Sequence, residues 1–303
     1  MCQTNLPHTL RLLMKYMSNE DYIDRITLYI THSGMYCSHL LDDGSTISFH
    51  LQSEKFDTYT ISNNRPFRVS IYPSRLYAII KEIQRKDKIT ICIYSSQRIL
   101  AVNYGTVTQK LQIGETKYLT DEEVQDLSKA VNNVTLLESK SAIRNIMTSQ
   151  DFQNAIKLFT ENSPELMIRG TIEGKPVCIL RSDRTSIRIN MTASEDKDKT
   201  SVRREYKLDD TDWWDYIKPL SELSGLTESI LFCFDTSVSI IVPISPLGNL
   251  ILVCRHSSEE ESDEESGSED EEPSGYRVTP ILTPTQNPPD SPKENEDDGC
   301  VLM

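Results

Sequence analysis

Four segments of this chain carry the same helical spacing, and each is followed by stretches that alternate with period two. Leu10, Leu13, Met14 and Met17 fall at i, i+3, i+4 and i+7 within residues 9–18. The same spacing holds for Leu76, Ile79, Ile80 and Ile83 in 74–86, and for Phe152, Ala155, Ile156 and Phe159 in 150–159. It returns with Trp213, Tyr216, Ile217 and Leu220 in 212–223. Each set lines one helix face, so each segment must bury that face against something. Cations stand on the other faces: Lys15, then Lys81 and Arg85, then Lys157, then Lys218. Pro219 should kink or shorten the last helix, because it lacks an N–H and crowds the preceding turn.

The alternating segments read as strands. They include Ile26/Leu28/Ile30, Ile47/Phe49/Leu51, Ile89/Ile91/Ile93, Ile187/Ile189/Met191, Ile230/Phe232/Phe234 and Leu250/Leu252/Cys254. A helix followed by strands, four times over, predicts an α+β fold of two similar domains, residues 1–119 and 139–256. Each domain would pack two helices on antiparallel sheet. Residues 120–138 do not alternate and read as a connector with room for a short helix.

Charge is distributed unevenly. The chain has 46 acids and 32 bases, and residues 257–303 hold 15 of those acids and 2 of those bases. The remaining 31 acids and 30 bases nearly balance, so a basic face on residues 1–256 has to come from arrangement. Residues 257–303 lack the apolar content to offset ordering entropy and are expected to be a disordered acidic tail. Ser257, Ser258, Ser262, Ser266 and Ser268 lie among acids, and Thr279, Thr283 and Ser291 precede proline. Such a tail suits phosphoregulation and competition with other polyanions.

Converging catalytic groups do not emerge. The histidines (8, 32, 39, 50 and 256) are scattered, and the seven cysteines include no Cys-x-x-Cys. "GETKY" lacks the upstream glycine of a phosphate loop, and Asp42-Asp43-Gly44 reads as a turn. No catalytic residue, metal site or cofactor is assigned, and a binding protein is expected rather than an enzyme. The start has no charged region leading into an apolar run, so no secretory signal is expected.

One polar stretch carries a family resemblance. "LQSEKFDTY" (51–59) resembles the strand-ending segment of the eukaryotic and archaeal sliding clamps, the proliferating cell nuclear antigen type. Upstream "ITLYITHSGMYCSHLLDDGSTISFHL" and downstream "VSIYPSRLYAIIKEIQRKDKITI" are similar to the clamp segments on either side. "SQDFQNAIKLF", "WDYIKPLSEL" and "SIIVPISPLGNLILVC" resemble the third helix, the fourth helix and the closing strands. The likeness spans roughly residues 5–256. Asp215 and Glu222 depart from it, standing where the family's fourth helix is often basic.

The resemblance implies a DNA-clamp fold, with three chains closing a ring around double-stranded DNA. It implies a processivity factor that tethers DNA polymerase and other enzymes bearing clamp-binding motifs, is loaded by a clamp loader, and serves replication and repair. Cations on helix faces suit sliding, because phosphate attraction carries no sequence register. The DNA-facing candidates are Arg11, Lys15, Lys81, Arg85, Lys157 and Lys218. Lys81 and Lys157 fall on basic positions of the family's inner helices, and the others rest on helical phase. Subunits would pair "TQKLQIGE" (108–115) with "SIRINM" (186–191), setting Leu111 and Ile113 against Ile187 and Ile189. By resemblance, the partner-peptide pocket is framed by Leu41, Leu136, Leu137 and Val253. A nuclear location, or a cytoplasmic replication factory for a viral protein, follows from the same likeness. The alternatives are a non-ring viral processivity factor and a checkpoint-clamp-like subunit with a phosphoregulated tail. Cys300-Val-Leu-Met fits a prenylation box, although the acidic residues before it argue against stable membrane association.

Overall fold

A computed structural model describes residues 6–19, 23–61, 64–129, 143–158, 165–172, 175–181, 186–190, 192–193, 205–208, 212–223, 226–234, 237–254 and 301–302. The first half opens with α1 (Leu6–Met17), β1 (Ile26–Thr31), β2 (Gly34–Leu40), β3 (Thr46–Gln52), β4 (Thr60–Ile61) and β5 (Phe67–Ile71). After α2 (Pro73–Ile80) come β6 (Ile89–Tyr94), β7 (Ile99–Tyr104), β8 (Val107–Gln112) and β9 (Thr116–Tyr118). Residues 121–129 form α3. The second half starts with β10 (Ile143–Thr148), α4 (Ser149–Leu158), β11 (Glu165–Ile172), β12 (Lys175–Arg181) and β13 (Ser186–Asn190). It continues with β14 (Thr192–Ala193), β15 (Glu205–Leu208), α5 (Asp212–Leu223), β16 (Ser229–Phe234), β17 (Val238–Ile244) and β18 (Gly248–Cys254). A short β19 (Val301–Leu302) pairs with β4. Of the expected tail only residues 301–302 are described, and the rest of 257–303 lies outside the described residues.

Local chemistry explains where the helices begin and end. α2 stops at Ile80 rather than 86, because the Gln84 N–H donates to the Asp87 carboxylate at 3.1 Å instead of to a helical carbonyl. Ile83 stays buried in the turn that follows. α5 is not shortened by Pro219. Tyr216, Ile217, Leu220 and Leu223 are all buried along it, and each apolar side chain contributes about 1.5–3 kcal/mol against the ~3 kcal/mol proline cost. Thr148 caps α4, its hydroxyl accepting from the Asp151 N–H at 3.1 Å.

The stretch 51–59 also finds its reason. β3 ends at Gln52, residues 53–55 make a 3-10 turn, and Phe56 drops into the core. The Tyr59 hydroxyl then donates to the Thr31 carbonyl at 2.9 Å, which fastens the return of the chain to the end of β1.

All described strand pairings are antiparallel. One sheet of ten strands runs through both halves, in the order β14-β10-β16-β17-β18-β3-β2-β1-β5-β9. The halves join where β18 pairs with β3. Smaller sheets, β6-β7-β8 and β13-β12-β11-β15, complete each half. Alternation sends Ile47, Phe49, Leu51, Ile240, Leu250 and Leu252 into one core shared with the helices. Tyr29 and Tyr36 in the first half, and Ile241 and Ile251 in the second, point to the opposite, outer face.

Candidate nucleic-acid interface

The helices form one row. α1 packs on α2 and on α5, and α5 packs on α4. At the central seam the buried Tyr16 hydroxyl of α1 donates to the Tyr216 carbonyl of α5 at 3.2 Å. A cavity of about 280 Å³ opens beside it, lined by Lys15, Tyr77, Pro219 and Glu222 among others.

With the apolar faces buried, the cations lie on the outside of the row. Lys15, Lys81, Arg85, Lys157 and Lys218 are exposed and Arg11 is half-buried. The structure brings Arg11 and Arg85 together around His8: the Arg11 guanidinium lies 2.7 Å from His8 Nδ1. Burial first, and then the charges of Arg11 and Arg85, hold the His8 pKa below its usual value. Lys15, in contrast, is ion-paired with Glu222 of α5, so its charge is locally balanced. Among the described residues no carboxylate pairs with Lys81, Lys157 or Lys218.

The two ends of the row carry sheet edges. β8 is the last strand of its sheet and packs near α2, while β13 is the last of its own and packs near α4. Unpaired strand edges thus stand at opposite ends of the molecule among the described strands. Their side chains differ from expectation. Leu111, Ile113 and Ile189 are 7%, 4% and 7% exposed and belong to the chain's own core rather than to an outward-facing surface. The Ile187 side chain lies outside the described residues. On β8 the exposed side chains are Val107, Thr108, Lys110 and Gln112.

On the outer face, α3 lies over the first half with Leu127 buried against Tyr29 and Tyr36. It starts with a reciprocal cap: the Thr120 N–H donates to the Glu123 carboxylate at 2.8 Å, and the Glu123 N–H to the Thr120 hydroxyl at 3.2 Å. Arg68 of β5 reaches Glu123 at 3.6 Å. Beyond α3 the sheet carries two outer rows set by register. One runs Leu40–Thr46–Val253, the other Ile146–Leu231–Ile241–Ile251. Leu41 is no part of either. It is 3% exposed and faces the core, whereas its neighbour Leu40 is 51% exposed on the outer face. Leu136, Leu137 and Cys300 lie outside the described residues.

Among the described residues no cluster of three or more metal-ligating side chains occurs, and no helix is long and apolar enough to span a membrane. No protein-family model matches the chain, and no curated protein matches it in sequence. Three features escaped sequence reasoning: the Glu222 partner of Lys15, the exposure of Leu40 and the docking of α3. Only the last left a local signal, the Thr120-x-x-Glu123 capping box.

Proposed function

We propose that this chain is a sliding clamp, a non-enzymatic processivity factor that closes into a ring of three around duplex DNA. The observation that carries the reading is the coincidence of a continuous helix row with unpaired edges, β8 and β13, at its two ends. Head-to-tail pairing of such edges is heterologous, and it closes into a ring when the rotation per subunit is right. The helix row would then line the inner surface, with Lys81, Lys157 and Lys218 toward phosphate. Three subunits multiply each cation by three, so a modest set suffices for sequence-independent attraction. The outer face would tether DNA polymerase and other partners, their aliphatic or aromatic anchors seated on the row from Leu40 to Val253. A clamp loader, and work in the nucleus or in a viral replication factory, belong to the same proposal.

Mass in solution tests the ring. Lys110 N–H lies on the open side of β8, because the alternate residue Ile113 donates inward to Arg98 at 2.9 Å. Lys110→Pro should therefore abolish trimers while sparing the β7–β8 ladder. A wild-type chain that sediments as a monomer at micromolar concentration refutes the ring. It favours a single-chain processivity factor that uses the same helix row. Lys81→Glu with Lys157→Glu should then abolish polymerase stimulation without changing assembly, and unchanged stimulation removes these helices from the DNA path.

A further inference from the structure

Two arginines of the first half share one tyrosine ring. Arg25, just before β1, and Arg75, in the first turn of α2, hold their guanidiniums 4.6 and 4.7 Å from the Tyr72 ring centroid. Arg25 also donates to the Tyr72 hydroxyl. Both arginines are exposed and Tyr72 is half-buried. Among the described residues neither guanidinium meets a carboxylate, unlike Arg68 with Glu123. The ring attracts each cation, but the two cations repel one another. Two forked donors anchored on one aromatic ring suit carboxylates or phosphates, which would relieve that repulsion.

Sheet register locates the cluster relative to the chain's own acids. Ile26 pairs with Ile71, so Arg25 and Tyr72 extend the β1–β5 ladder by one step. Continuing the β1–β2 register three steps past its last pair, Leu28–Cys37, sets Arg25 opposite Leu40, which pairs with Thr46, which pairs with Val253. β18 therefore ends, at Cys254, at the same end of the sheet and three strand spacings away. At ~4.8 Å per spacing that is at least about 14 Å, within reach of the segment that follows Cys254. Glu259 follows Cys254 by five residues, and five extended residues span about 17 Å. From Glu259 to Glu272 the chain carries ten acids and no base.

We propose that Arg25, Tyr72 and Arg75 form a docking site for this chain's own acidic segment, Glu259–Glu272, bound in cis. Charge complementarity and reach select this occupant, and neither depends on whether the protein closes into a ring. The short path from Cys254 passes the exposed Leu40, so a docked segment would lie beside the outer-face row. Phosphate on Ser262, Ser266 or Ser268, within that segment, would add charge beside the two guanidiniums and tighten the contact.

A photo-crosslinking benzophenone residue placed at Ser262 in the full chain tests this. Cross-links should form within one chain and map to the peptides holding Arg25 or Tyr72–Arg75. They should fall by about fivefold or more when salt rises from about 0.05 M to about 0.5 M. Arg25→Glu with Arg75→Glu should remove them with little change in melting temperature, as expected for exposed side chains. Arg25→Gln with Arg75→Gln gives the same reading if the charge reversal impairs folding. Cross-links to Arg11, Lys81 or Lys157 on the helix row, cross-links between chains, or a yield indifferent to both double substitutions would overturn the proposal, as would none at all.

Discussion

Lys15 of α1 and Glu222 of α5 form an ion pair across the seam between the two halves of the chain. Both side chains are about half exposed, at 45% and 50%, so the pair contributes at most about 1 kcal/mol to stability. Its larger effect is on the field of the helix row, where it neutralises one cation per chain. Glu222→Gln should lower the melting temperature by no more than about 4 °C. On the sliding-clamp proposal it should also tighten association with duplex DNA at low salt, as read by fluorescence anisotropy. Unchanged affinity would mean that Lys15 does not face the DNA.

The join between the halves depends on a glycine. A Cβ on Gly248 of β18 would stand 1.8 Å from the His50 carbonyl oxygen of β3, and one on Gly34 would stand 2.0 Å from that of Leu51. β3 is thus gripped from both sides by strands that approach too closely for any side chain. Gly248→Ala should cost about 2–4 kcal/mol, since backbone rather than a movable side chain must yield. Thermal denaturation measures it, and a loss below about 0.5 kcal/mol would show that β18 can shift.

Ile113→Arg tests whether this side chain at the end of β8 serves the chain's own core. The residue is 4% exposed, so the substitution should unfold or strongly destabilise the chain rather than release intact monomers. Lys110→Pro, on the open side of the same strand, should instead leave circular dichroism near native. Sedimentation alongside melting curves separates the two outcomes.

Acid should weaken the fold through His50. Its ring stacks on Tyr36 with centroids 4.2 Å apart, and its buried Nε2 has no hydrogen-bond partner among the described residues. Burial lowers its pKa below the ordinary 6.5, partly opposed by a backbone hydrogen bond to Ser33. A depressed histidine binds fewer protons folded than unfolded. Its contribution is therefore complete above pH 6.5 and lost as the pH falls from there toward the folded value. The slope from this residue is at most about 1.4 kcal/mol per pH unit. Urea denaturation at several pH values between 5 and 7.5 should show stability falling with acid, and His50→Phe should flatten that fall.

The sequence by itself determined the elements and their sidedness. Leu13 and Met17, Ile79 and Ile80, Phe152 and Ile156, and Ile217 and Leu220 are buried where helical spacing placed them. Ile47, Phe49 and Leu51 alternate into the core as period two requires. Such patterns are legible because periodicity is local, and burying one face is the dominant favourable term in folding. Which surface residues meet was decided only by tertiary structure. Nothing near Lys15 in sequence announces Glu222, 207 residues away, and Leu40 and Leu41 are chemically alike. A one-residue step from the last residue of β2 reverses the face, and so separates the exposed leucine from the core one. Leu111 and Ile113 followed the same rule: an apolar residue on an edge strand looks ready for a partner, but the pleat turns it inward. Whether an edge stays unpaired, or two arginines find one ring, depends on how strands far apart in sequence are ordered, and local spacing carries no record of that order.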